Sequence, residues 1–306
     1  MKRLQNKISE SRLTLPITSV YATVIWVLAG LIQESWWIQF GCFVLSTFLM
    51  LELNNSNALI RIHSRMVSCS FMALTCAACY LFSSLRESIA SLFVIATYVV
   101  LFHTYQDKDS PGLTFYGFLC LGTASIAYIH ILLLIPALWV LMLTNLQSLS
   151  WRTFLASLIG VAVPYWFLSC WLFYQDDFTP LTALFTSLAD LHIPFLFSIL
   201  DSHVVVTLFL VTLLTILGIF HYWHTSYQDK FRIRKLYGFF IRMDIYLFLL
   251  FCLQPQHSSM LLRLIILSTA PLTAHFIALT QSRATNIMTC IILFFILVLT
   301  VYNLWM

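Results

Sequence analysis

Apolar residues in this chain come in long, nearly unbroken runs separated by short polar breaks. The runs cover approximately 14–32, 38–52, 66–82, 89–103, 113–128, 130–146, 153–174, 203–223, 238–253, 261–280 and 287–305. About 20 apolar residues in helical form reach across a bilayer, whereas a membrane barrel would show alternating stretches of about ten. The pattern therefore predicts an all-α fold, a polytopic transmembrane helix bundle of eleven spans in one transmembrane domain, residues 1–306. Within it, 1–88 holds three N-terminal spans, 89–174 four more, 175–202 an external segment and 203–306 the last four.

The segment 175–202 departs from the rule. Leu181 to Leu200 is apolar, but it carries Asp190 and His192 at its middle and Pro180 and Pro194 near its ends. Ionisable groups at that depth are expensive in lipid, so an interfacial or re-entrant helix is expected there instead of a twelfth span.

Composition agrees with the pattern. With 60% hydrophobic, 16% aromatic and 9% charged residues and a mean hydropathy of +0.90, the chain is too apolar to bury itself in a water-soluble core. The densest positive cluster is Lys230, Arg232, Arg234 and Lys235, and such clusters stay in the cytoplasm. With the N-terminus cytoplasmic and the C-terminus outside, fourteen of the sixteen Lys and Arg residues fall on the cytoplasmic side, leaving Arg86 and Arg263. Removing any one span would spoil that partition. The net charge of +4 is thus a matter of topology, and no nucleic-acid role is assigned. Lys2, Arg3, Lys7 and Arg12 precede a run from Leu13 to Ile32 that is long for a signal peptide, so an uncleaved first span is expected.

An internal echo complicates the organisation. HTYQDKDSPGLTFYGF from His103 recurs as HTSYQDKFRIRKLYGF from His224. Either spans four to seven and eight to eleven are parallel four-helix repeats, or Tyr, Gln, Asp and Lys suit a short loop at a membrane edge.

Candidate chemistry lies in two places. Within spans, His130, Arg242, Asp244 and His275 are functional candidates because ionisable groups are rare there. Arg242 and Asp244 lie about 200° apart around a helix and cannot pair on one face. Arg242 is expected to snorkel from the cytoplasmic edge, and His275 to bond to a neighbouring helix. His221 and His224, one helical turn apart, have a spacing that metals use, but no further ligand accompanies them and no metal is assigned. The second place is the outer surface. Asp176, Asp177, Asp190, His192, Asp201 and His203 gather in one external segment, and Glu34 lies beside Trp36 and Trp37 in the first external loop. A carboxylate there can act as general base on an acceptor hydroxyl or hold a divalent ion against a lipid phosphate. The catalytic candidates are Glu34, Asp176, Asp177, Asp190 and His192, set against the alternative of ordinary solvated loop acids.

The eight cysteines lie within or beside apolar runs and predict no disulfide framework. Cys76 and Cys79 form a CxxC that reads as helix packing. No Walker loop, G-x-G-x-x-G turn, G-x-S-x-G or HExxH is present, so no cofactor is identifiable.

Tyr116 to Leu143, YGFLCLGTASIAYIHILLLIPALWVLML, followed by SWRTFLASLIGVAVPYW from Ser150, resembles an uncharacterised family of multi-spanning inner-membrane proteins from Bacteroidota. The resemblance implies a bacterial inner-membrane location and brings no catalytic residue. The chain is also similar, over fewer features, to polyprenol-phosphate-dependent membrane glycosyltransferases, which place an acid in the first external loop, here Glu34. That likeness implies a polyprenol-linked substrate at the lipid bilayer.

Three functions follow as expectations. The first is handling of a lipid-linked envelope precursor, as a glycosyltransferase-like enzyme or inactive relative. The second is a transporter or flippase, and the third a non-catalytic membrane subunit. Clustered external acids favour the first, and isolated acids at mid-span favour the second.

Overall fold

The computed structural model describes residues 4–62, 64–189, 200–280 and 282–305. Every regular element among them is helical. In chain order these are α1 (Leu4–Glu10), α2 (Thr14–Leu28), α3 (Trp37–Asn57), α4 (Met66–Ala77), α5 (Leu85–Phe102), α6 (Pro111–Ala127), α7 (Leu134–Leu141), α8 (Trp151–Tyr174), α9 (Thr179–Ala189), α10 (Ser202–Thr225), α11 (Phe231–Leu253), α12 (Ser258–Leu279) and α13 (Arg283–Trp305). Each of the eleven apolar runs forms a helix.

Eight of these helical stretches are long and apolar enough to cross a membrane. The apolar helices α2, α4 and α6 are shorter, at 15, 12 and 17 residues. At about 1.5 Å per residue they measure about 22, 18 and 26 Å against a hydrocarbon core of about 30 Å. The chain has the build of an integral membrane protein, and large apolar side chains such as Phe209, Phe220, Phe294 and Phe295 are exposed on its helices. In water that would be a liability, and in lipid it is the expected surface.

The chain forms two compact units, one of Met1–Ser84 with Leu196–Met306 and the other of Leu85–Phe195. The N-terminal helices α1–α4 thus share one unit with α10–α13.

In the first unit α12 is the central post. Over the stretch Pro255–Leu279, 94% of the apolar window is buried, and α4, α10 and α11 pack around it. Helix α4 in turn carries α2, α3 and α13. An aromatic cluster ties the N-terminal helices together, with Trp26 stacked on Phe82 at 3.8 Å and edge-on to Phe40 at 5.5 Å.

In the second unit α6 is central and packs on both α5 and α8. Two glycines make the α6–α8 crossing possible. A Cβ on Gly160 would stand 2.6 Å from the Phe115 carbonyl oxygen, and one on Gly122 would stand 2.8 Å from that of Val161. Small residues at such crossings let membrane helices meet backbone to backbone. Helix α8 begins with a capping box between Ser150 and Thr153.

The two sets of four helices do not pack alike. The hub is the second helix of α5–α8 and the third of α10–α13. The two YQDK loops differ as well. Asp107 is exposed and accepts from the Asp109 amide at 3.0 Å, whereas Asp229 is buried and ion-paired. The echo therefore resides in loop sequence and connection, not in a shared packing scheme.

Within the segment 175–202, α9 places its Phe185 ring 5.6 Å from Tyr165. Residues 190–199, including Asp190 and His192, lie outside the described residues.

Candidate functional site

The site grows out of two helix faces. Helix α10 buries Val204, Thr207, Val211, Leu214, Thr215, Gly218, His221 and Tyr222, the three- and four-residue spacing of one helical face. It meets α12 so closely that a Cβ on Gly218 would lie 2.9 Å from Leu272 Cβ. On α12 the residues Ser268, Thr269, Thr273 and His275 are all buried. Polar groups from both helices thus line a seam through an otherwise apolar unit.

Midway along it sits Asp244 of α11, 0% exposed. Thr269 Oγ1 lies 3.4 Å from Asp244 Oδ2 and 2.8 Å from Thr215 Oγ1, which itself donates to the Val211 carbonyl at 2.9 Å. Thr269 donates to the carboxyl, and either threonine can supply the proton between the two hydroxyls. Asp244 Oδ1 and Ser268 Oγ have no hydrogen-bond partner among the described residues.

The second group lies where α10 hands over to α11. After Thr225 the chain makes a short 3-10 turn, Ser226–Gln228, closed by the Asp229 amide bonding to the Ser226 carbonyl at 3.1 Å. The turn directs Asp229 inward while Lys230 starts α11. Asp229 Oδ2 lies 3.1 Å from His275 Nε2, their side chains being 1% and 0% exposed. His275 Nδ1 lies 3.3 Å from His221 Nδ1. Arg61 Nε approaches Asp229 Oδ1 at 3.4 Å. That oxygen makes no geometrically acceptable hydrogen bond, so the contact is an ion pair only. Tyr237 and Tyr222 pack on the His275 ring at 4.7 and 5.7 Å.

With both rings neutral, His275 donates from Nε2 to the carboxylate, its Nδ1 accepts, and His221 donates from Nδ1.

The sequence candidates are distributed differently from expectation. Glu34 is exposed in the turn after α2 and belongs to the first unit, whereas Asp176 and Asp177 belong to the second. Both aspartates are exposed, and Asp176 adopts a left-handed backbone conformation, φ 53°. Asp177 is occupied at the start of α9, accepting from Thr179 N at 2.9 Å and Oγ1 at 2.6 Å, and these bonds hold its carboxyl below the usual carboxylate range. His203 bonds Asn303 Oδ1 at 2.9 Å, and Asn303 bonds Thr207 at 3.2 Å, so this histidine extends the α10 face. His130 bonds the backbone of Ser187.

Asp244 lies thirteen residues into α11, which begins at Phe231. His221 turns inward to His275, and His224 is exposed. Among the described residues no three His, Cys, Asp or Glu side chains are disposed to hold a metal ion. Sequence reasoning missed Asp229 and Arg61 as site residues. No family model, curated protein or solved structure matches this chain.

Proposed function

We propose that the protein is a proton-coupled carrier of the bacterial inner membrane, crossing the bilayer eleven times with its N-terminus in the cytoplasm. The observation that supports this reading is the isolated, fully buried Asp244 on the α10–α12 seam, one of whose oxygens has no partner. Ionisable groups inside spans mark proton relays and substrate pathways. In this reading the Asp229–His275–His221 chain exchanges protons with the cytoplasm, and Asp244 holds one at mid-span. Handling of a lipid-linked envelope precursor draws on Glu34, Asp176, Asp177, Asp190 and His192, and has less support. The described members of that set lie in different units, and Asp177 is committed to capping α9.

The test is proton entry into liposomes that carry purified protein and a trapped pH-sensitive dye, driven by an imposed potassium diffusion potential. Wild type should acidify the lumen faster than protein-free liposomes, and Asp244→Asn and His275→Gln should each fall to the protein-free rate. Wild-type flux at the protein-free rate, or undiminished flux in Asp244→Asn, would remove the proposal.

A further inference from the structure

Next to the buried Asp229–His275 pair, and sharing Arg61 with it, lies a crevice of about 460 Å³ between the end of α3 and the start of α11. Its lining includes Arg61, Lys230, Arg232, Asn57, Gln228 and Ser56, and no acidic residue among the described residues. Three cations therefore converge on one concave volume whose other polar groups are amides and a hydroxyl.

The guanidinium groups are already held in place. Arg61 Nε lies 3.4 Å from Asp229 as an ion pair, and Nη1 donates to Gln228 Oε1 at 2.6 Å, which fixes its plane. Arg232 gives Nη2 to Asn57 Oδ1 at 2.8 Å. Both of these amide partners are neutral. The exposed ammonium of Lys230 has no partner among the described residues. The first turn of α11, which opens beside the crevice, contains no acidic residue and no side-chain cap, so its amides add to the positive potential.

We infer that this crevice binds a phosphate group, carried either by a lipid headgroup or by a soluble phosphate. Two planar guanidinium forks and one mobile ammonium suit a tetrahedral dianion better than a flat carboxylate. Because amides pre-position both forks, little side-chain entropy remains to be lost on binding. The crevice borders two helix ends, the level at which headgroup phosphates and soluble anions are both within reach. Arg61 also contacts Asp229, so an anion drawn to Arg61 competes with the carboxylate for the same guanidinium. Occupancy of the crevice and the charge on the relay are thereby linked.

The experiment uses the full chain purified in detergent micelles and in lipid nanodiscs. Isothermal calorimetry with inorganic phosphate reads the soluble source. Calorimetry with phosphatidate, with phosphatidylcholine as the control, reads the lipid source. Wild type is expected to bind at least one phosphate probe, and phosphate binding alone identifies a soluble ligand, whereas phosphatidate binding alone identifies a headgroup. Lys230→Gln and Arg232→Gln should each weaken binding about tenfold, the loss of one charge-assisted contact. Lys230→Arg should retain it, and Lys108→Gln in the second unit should be without effect. Monodisperse elution of each variant separates lost binding from lost fold. No binding of either probe by wild type would overturn the inference. So would wild-type affinity in monodisperse Lys230→Gln and Arg232→Gln, or a Lys230→Gln loss that Lys230→Arg does not restore. Calorimetry needs no proton gradient, so failure here leaves the carrier proposal standing, and failure of proton flux leaves this site standing.

Discussion

Replacing His275 by leucine tests whether the buried chain is a coupled unit. The substitution removes the Asp229 Oδ2 contact at 3.1 Å and the acceptor of His221 Nδ1 at 3.3 Å. A hydrogen bond to a charged group contributes about 1.5–3 kcal/mol, and a buried donor left without a partner costs about 1–3 kcal/mol. Leucine refills part of the volume between Tyr222 and Tyr237, and Arg61 still neutralises Asp229 at 3.4 Å. The Arg61 side chain is 31% exposed, so its compensation is screened. The net loss is about 3–5 kcal/mol, the range for breaking a buried pair. At about 2–4 °C per kcal/mol for a body of this size, the melting temperature should drop by about 6–20 °C. Adding Asp229→Leu should recover more than half of the loss, because no buried carboxylate remains and Arg61 can turn to solvent. Tryptophan fluorescence during thermal unfolding in detergent reads both variants. A wild-type melting temperature for His275→Leu, or a double variant that merely sums the two single losses, would refute the coupling.

Gly160→Ala should lower the melting temperature by an amount corresponding to at least about 1–3 kcal/mol, since its Cβ meets the backbone of Phe115 and Leu119 at 2.6 and 3.1 Å. Gly41→Ala and Gly112→Ala should be neutral, because nothing lies within 4 Å of a Cβ there. Asp177→Ala should speed amide exchange in the first turn of α9 at neutral pH. The folded carboxyl is held below its ordinary value by Thr179, so its contribution is present above the ordinary aspartate value of about 3.9 and lost as pH falls through the lower folded one. The variant and wild-type exchange rates should therefore converge in strong acid, and a constant ratio would count against the cap. Reporter fusions after Asp176 and after Lys235 should report opposite sides of the membrane, and the same side at both would contradict the topology.

The helices were legible because a bilayer demands continuous apolar runs, and each run is helical. Their pairing was not, because lipid-facing and protein-facing surfaces are equally apolar and the pattern carries little direction. Asp244 shows the limit on a single helix. The apolar run starts at 238, yet α11 starts at Phe231. Its first two turns bury Ile233, Leu236 and Tyr237 and expose Arg232 and Arg234. That three- and four-residue alternation was the available signal. Asp229 shows the limit between helices. Its partners His275 and Arg61 lie 46 residues ahead and on a loop before α4, and nothing local distinguishes it from Asp107, which occupies the same YQDK position and is exposed.

Each polar residue of the seam, taken alone, is ordinary helix-to-helix glue, since threonine, serine and histidine commonly bond across membrane helices. A purely structural seam would hold no acid with an unbonded oxygen. Adhesive polar contacts stabilise only when every member is satisfied, and a half-satisfied network is worse than an apolar one. The His203–Asn303–Thr207 contacts at one end meet that standard, and alanine or valine there would be expected to loosen packing without altering chemistry. Asp244 does not meet it. One oxygen has a single contact at 3.4 Å and the other has none, in a position where leucine would fill the same space at lower cost. Under the proposed carrier function, a carboxyl at such a position serves by releasing and taking up its proton. Asp244→Asn therefore separates the two roles, because it preserves shape and one amide contact while removing the titratable group. Unchanged melting together with lost proton flux identifies a working acid, and lost melting with retained flux identifies glue.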